Sequence, residues 1–158
     1  MLEKTERTVA ANKYLDVLRE ITDSGQEVSL TISGNSMMPF LIHGRDQILF
    51  RKLEKDPVKG DMVFFQREGG RYIMHRIYRV APEGYYIVGD AQCEIEGPVK
   101  REQIFAIVTA ACRKGKWIKK GSFWWEFFAR VWIHMIPVRH PVMRLYAIIM
   151  RKDKKEQG

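Results

Sequence analysis

Between Glu27 and Val108 the chain never sustains a helical period. It breaks instead into short β-branched or aromatic runs, Val28–Ile32, Gln47–Phe50, Asp61–Phe65, Tyr72–Val80, Tyr85–Val88 and Ile104–Ala110, separated by glycine and proline. Runs of this length and composition are strands, and their close succession leaves room for little but a mostly antiparallel sheet. Glu68-Gly69-Gly70-Arg71 and Pro82-Glu83-Gly84 read as hairpin turns that pair successive strands.

The two ends have a different character. From Thr5 to Thr22 the apolar residues Val9, Ala10, Tyr14, Val17, Leu18 and Ile21 recur at helical spacing, and Ser24-Gly25 supplies the stop. After Arg113–Lys120 come two apolar-aromatic segments, Ser122–Ile136 and Pro141–Met150, in which Glu126, Arg130 and His134 form a polar stripe at i, i+4 and i+8. The expected fold is mainly β, with an N-terminal amphipathic helix (1–26), an antiparallel β domain (27–112) and a helical, aromatic-rich basic appendage (113–158).

The appendage holds most of the charge asymmetry. Residues 113–158 carry 12 Lys/Arg against 3 Asp/Glu, whereas residues 1–112 carry 15 against 16. A nucleic-acid-binding body would carry a basic patch of its own, so nucleic acid is not the expected partner. Arg130, Arg139, His140 and Arg144 interrupt any membrane-spanning run. Residues 121–152, with Trp124, Trp125 and Trp132 beside lysines, therefore suit either an anionic membrane surface or a helical hairpin packed on the sheet or on another subunit. Met1 to Gln26 has no apolar core of the kind a signal peptide or anchor needs, which leads to the expectation of a cytoplasmic or peripheral membrane protein. Cys93 and Cys112 match neither a disulfide framework nor a zinc site, and no metal or cofactor is expected.

Chemistry concentrates at Gly34-Asn35-Ser36-Met37-Met38-Pro39. Serine is a poor nucleophile until a base removes its proton, so an active serine needs a rigidly aimed turn and a partner. Three further blocks follow: Lys59-Gly60-Asp61-Met62-Val63-Phe64-Phe65, Met74-His75-Arg76-Ile77 and Val88-Gly89-Asp90. In this order, over about residues 27–110, they resemble the serine peptidase superfamily that includes signal peptidase I and the LexA-type repressors.

That resemblance implies a LexA/signal-peptidase-like β domain and a serine endopeptidase with Ser36 as nucleophile. Bacterial signal peptidases and LexA-type proteins pair serine with lysine, but no lysine occurs between Lys59 and Lys100. The archaeal and endoplasmic-reticulum signal peptidases place a histidine on that strand, which here is His75. An unperturbed imidazole would give activity rising through about pH 6 to 7. Asp90 matches the family's acid and would orient His75, with Glu94 and Glu96 as substitutes because Ala91-Gln92 replaces the usual Asn-Asn. The backbone N–H of Ser36 would serve the oxyanion. Gly34 stands where some signal peptidases have a serine, so a hydroxyl donor is absent there. Arg45 and Asp46 depart from the family's Gly-Asp and receive no role; His43, His134 and His140 are read as structural.

The implied substrate is a leader or signal segment of a peptide or preprotein, with small side chains before the cleaved bond. Two other readings stay open: a catalytically silent peptide- or membrane-interaction module on the same fold, and a LexA-type self-cleaving regulator. Against the second, the single N-terminal helix leaves no room for a helix-turn-helix, and an Ala-Gly cleavage site is missing.

Overall fold

Consecutive buried residues, Met62–Phe65 in one central strand and His75–Ile77 in the next, make one sheet with two covered faces, and the chain order of the strands shows how. The computed structural model describes residues 2–156. Helix α1 (Leu2–Asp23) precedes strands β1 (Val28–Thr31), β2 (Gln47–Lys52), β3 (Met62–Gln66), β4 (Tyr72–Ala81), β5 (Gly84–Val88), β6 (Glu96–Val99), β7 (Ile104–Arg113) and β8 (Lys116–Lys119). Helices α2 (Phe123–Arg130) and α3 (Arg139–Glu156) follow, joined by two 3₁₀ turns.

The strands hydrogen-bond in the order β1-β2-β7-β3-β4-β5-β6, every pair antiparallel, and β8 adds to β7. Strand β7 is the spine, bonded to β2 along one edge and to β3 and then β8 along the other. Both expected hairpins are present, linking β3 to β4 and β4 to β5.

On β3 and β4 the period-2 alternation separates two cores. Val63, Phe65 and Ile77 join Ile87, Val99 and Ile104 on one face. Met62 and Phe64 join Phe50, Ala106 and Val108 on the other, where α1 and α2 cover them. Helix α1 contributes Leu18 fully and Leu15 and Ile21 in part, while Tyr14 and Val17 remain exposed. Its buried stripe is therefore rotated from the one the apolar spacing suggests.

Helix α2 enters this second core directly. Trp125 and Phe128 are buried, as are Trp132 and Ile133 just beyond it. Phe40 is wholly buried against Trp125 and Phe128, with ring centroids 6.0 and 4.9 Å away. Burying an aromatic ring of this size contributes on the order of 2–3 kcal/mol. Sheet and core thus continue past residue 113 through β8 and α2, while α3 beyond Arg139 has no fully buried residue among those described. Of the settings expected for residues 121–152, packing on the sheet is the one that Trp125, Phe128 and Trp132 adopt. Among the described residues, no helix is long and apolar enough to cross a membrane.

Candidate active site

Strand β5 stops pairing with β4 at Val88, opposite Arg76. Residues 72–75 of β4 therefore present a free edge on that side. Strand β1, bonded only to β2, presents another at Leu30 and Thr31. Between these edges lies a cleft of about 720 Å³ lined by Leu30, Ile32, Tyr72, Met74, Ser36 and His75, with Tyr14 and Leu15 of α1 at its side. The two residues that the resemblance points to, 39 positions apart in sequence, thus share one cleft.

Ser36 lies in the turn after β1 and is half-buried. Gly34 before it adopts φ of +92°, a left-handed conformation open to glycine and strained for other residues. Its N–H donates to His43 Nδ1 at 3.0 Å, so His43 fixes the approach to the Ser36 turn. Behind Ser36, its carbonyl accepts from Ala91 N–H at 2.8 Å. A Cβ on Gly89 would lie only 2.6 Å from that same carbonyl oxygen, so Gly89 is required by close approach. Phe40, at the far end of the turn, ties it to α2.

His75 sits on β4 opposite Val63 and is 2% exposed. Its ring packs beside Phe65, 6.2 Å between centroids, and its Nδ1 is enclosed with no hydrogen-bond partner. Burial is the main influence on its titration, with Glu96 opposing and Arg67 reinforcing it, and its pKa is lowered to about 4. His75 is therefore neutral at pH 7, and the expected titration between pH 6 and 7 is corrected downward.

The third site residue is placed elsewhere. Asp90 is wholly buried and accepts Arg76 Nε at 2.9 Å and Nη2 at 2.8 Å, while Arg76 Nη1 donates to Gly60 O at 2.9 Å. His75 and Arg76 are neighbours in a strand and point to opposite faces. A carboxylate that holds Arg76 this way is committed to the face away from His75. The orienting role expected of Asp90 is thus replaced by a structural ion pair. Of the substitutes, Glu94 is exposed and Glu96 is held by two hydrogen bonds from Arg67, each 2.5 Å.

Sequence reasoning missed Arg139 and Trp132. Arg139 is fully buried and donates to the carbonyls of Gly89, Gln92 and Trp132, and Trp132 Nε1 donates to Asp90 O at 2.7 Å. No periodic signal marks them, because an arginine in a basic segment ordinarily reads as solvated. His134 meets Lys59 at 3.1 Å, and Glu126 and Arg130 form an ion pair within α2, so the polar stripe is a surface feature. Cys93 and Cys112 are free thiols. Among the described residues, no group of acids, histidines and cysteines is arranged to hold a metal.

An antiparallel β scaffold with a helix before it is the architecture of a LexA-like peptidase, and here a serine and a histidine line one cleft at its free edges. The family model of S24-like peptidases matches residues 2–99, and the chain belongs to that family. Neither a curated protein nor a solved structure matches it.

Proposed function

We propose that this protein is a serine endopeptidase resembling signal peptidase, in which Ser36 is the nucleophile and His75 its general base. The observation that carries the reading is the cleft shared by Ser36 and a buried, neutral His75. With Nδ1 enclosed, Nε2 is the nitrogen left to accept the Ser36 proton and return it to the leaving amine. Neither Asp90 nor Glu96 holds the imidazole, so the machinery is a dyad oriented by packing rather than a triad. The backbone N–H of Ser36 is the expected oxyanion donor.

Substrate binding follows from the two unpaired edges. An extended peptide laid between β1 and the 72–75 edge of β4 gains main-chain hydrogen bonds on both sides, which suits an unstructured leader or signal segment. Enclosure of the cleft by Leu30, Ile32 and Met74 favours small side chains before the cleaved bond. Incubation with a mixture of extended peptides, read by mass spectrometry, tests the activity: cleavage by the wild type and none by Ser36→Ala supports it, and equal cleavage by both sinks it.

For the partner surface, Leu145, Ile148 and Ile149 are exposed at i, i+3 and i+4 on α3, with Arg144 and Arg151 beside them, and Phe123 and Trp124 are exposed on α2. Apolar residues flanked by cations suit the interface of an anionic bilayer, each basic residue near such a surface contributing about 1 kcal/mol. Sedimentation with anionic but not zwitterionic vesicles, weakened by Leu145→Glu, is the expected result. Absence of sedimentation at low salt would overturn this contact and leave the peptidase reading intact.

A further inference from the structure

We propose that Arg139, aided by Trp132, is a positioning residue for the nucleophile: the two hold the Gly89–Gln92 turn against which Ser36 rests. The proposal rests on the reading of Ser36 as the nucleophile. It assigns a role in the chemistry to residues that lie 40 or more positions after the turn they hold.

Arg139 opens α3 and has no exposed surface. Burying a guanidinium is costly unless its donors are satisfied, and here carbonyls take up its Nη1 and Nη2 donors in place of a carboxylate while its Nε is enclosed without a partner. Nη1 donates to Gly89 O at 2.9 Å and to Gln92 O at 2.5 Å, and Nη2 donates to Trp132 O at 3.1 Å. The guanidinium lies 5.7 Å from the Trp132 ring centroid. Trp132 in turn gives its indole N–H to Asp90 O at 2.7 Å. Three of the four carbonyls in the turn are therefore taken by the C-terminal segment.

On its other side the same turn meets Ser36. Ala91 donates its N–H to Ser36 O at 2.8 Å, and Gly89 approaches so closely that a methyl group there would collide with Ser36 O. The turn is thus gripped from behind by Arg139 and Trp132 and bears on the nucleophile's backbone in front. A displacement of the turn transmits to Ser36 through that contact. Misplacing a reacting group by about 1 Å can cost on the order of 100-fold in rate. The Asp90–Arg76 pair anchors the turn to β4, and Arg139 holds it from the opposite end of the chain through Gly89 O and Gln92 O.

A small fluorophosphonate reports the reactivity of the serine with little contribution from the peptide cleft, so its labelling rate separates positioning from substrate binding. Wild type, Ser36→Ala, Arg139→Lys, Arg139→Ala and Trp132→Phe are compared at pH 7, with cooperative thermal unfolding as the check on folding. The expected result is labelling of the wild type at Ser36, a drop of at least tenfold in Arg139→Lys and a several-fold drop in Trp132→Phe. Millimolar guanidinium should partly restore labelling in Arg139→Ala, a rescue that a general loss of stability would not show. Amide hydrogen exchange at Ala91 should quicken in the same variants. Folded Arg139→Lys and Trp132→Phe proteins labelled within twofold of the wild-type rate would overturn the positioning role alone. A wild type that is not labelled at Ser36 would overturn the nucleophile assignment, and the positioning role with it.

Discussion

Asp90 and Arg76 meet in a two-pronged ion pair, 2.9 and 2.8 Å, with neither side chain exposed to solvent. Breaking one partner of such a pair leaves a buried charge with nothing to offset it, which costs about 3–5 kcal/mol. Asp90→Ala should therefore lower the unfolding free energy by that amount in urea titrations. The joint replacement Arg76→Met with Asp90→Leu should recover much of the loss, since the pair's desolvation cost disappears with it. Single and double variants of equal stability would contradict the structural role assigned to Asp90.

His75 gives the site its pH signature. Its folded pKa of about 4 lies below the ordinary value near 6.5, so the folded protein binds this proton less readily than the unfolded chain. The corresponding stability is fully present above pH 6.5 and is lost as pH falls through about 4, a difference on the order of 3 kcal/mol. His75→Gln should flatten this acid limb. In NMR titrations the His75 ring should shift near pH 4, and cleavage should be nearly level from pH 6 to 8. A midpoint near 6.5 would contradict the enclosure of the imidazole.

The C-terminal segment is expected to be indispensable to the fold. Truncation after Lys120 removes the buried side chains of Trp125, Phe128, Trp132 and Ile133 and uncovers Phe40. Losses of several aromatic side chains, each worth about 3–5 kcal/mol when cut to alanine, exceed the stability of an ordinary domain. The truncated chain should lack a cooperative thermal transition. A folded, cleavage-competent fragment ending at Lys120 would show that α2 is an accessory after all.

Gly89→Ala tests the close approach behind Ser36. With its new methyl group 2.6 Å from Ser36 O, the turn or the serine must move. The expected outcome is a cooperative fold with cleavage reduced at least tenfold, as a misplaced reacting group predicts. Wild-type turnover would show that the contact yields freely.

Much of this architecture is legible in the residues themselves. The six expected strands are present to within a few positions, because each is a short β-branched or aromatic run between glycine or proline breaks. Strands β6 and β8 escaped notice for physical reasons. The first contains Gly97 and Pro98, which weaken any strand signal, and the second is a short exposed edge flanked by lysines. That Ser36 and His75 share a cleft was legible because the blocks that carry them follow the order of a known family. Asp90 was not, since which acid faces which strand residue depends on the pleat and not on the motif. Arg139 was hidden for the opposite reason: in a segment with 12 basic residues, nothing local distinguishes the one that is buried.

The central claim is that Ser36 and His75 act as one catalytic unit, and a cleavage cycle tests it most directly. Wild type, Ser36→Ala, His75→Ala and the double variant are incubated with the same extended peptides at pH 7, and products are counted by mass spectrometry. Each single variant should lose cleavage to background, and the double variant should be no worse than either, because a dyad's losses are not additive. Undiminished cleavage by Ser36→Ala or by a folded His75→Ala would contradict the account.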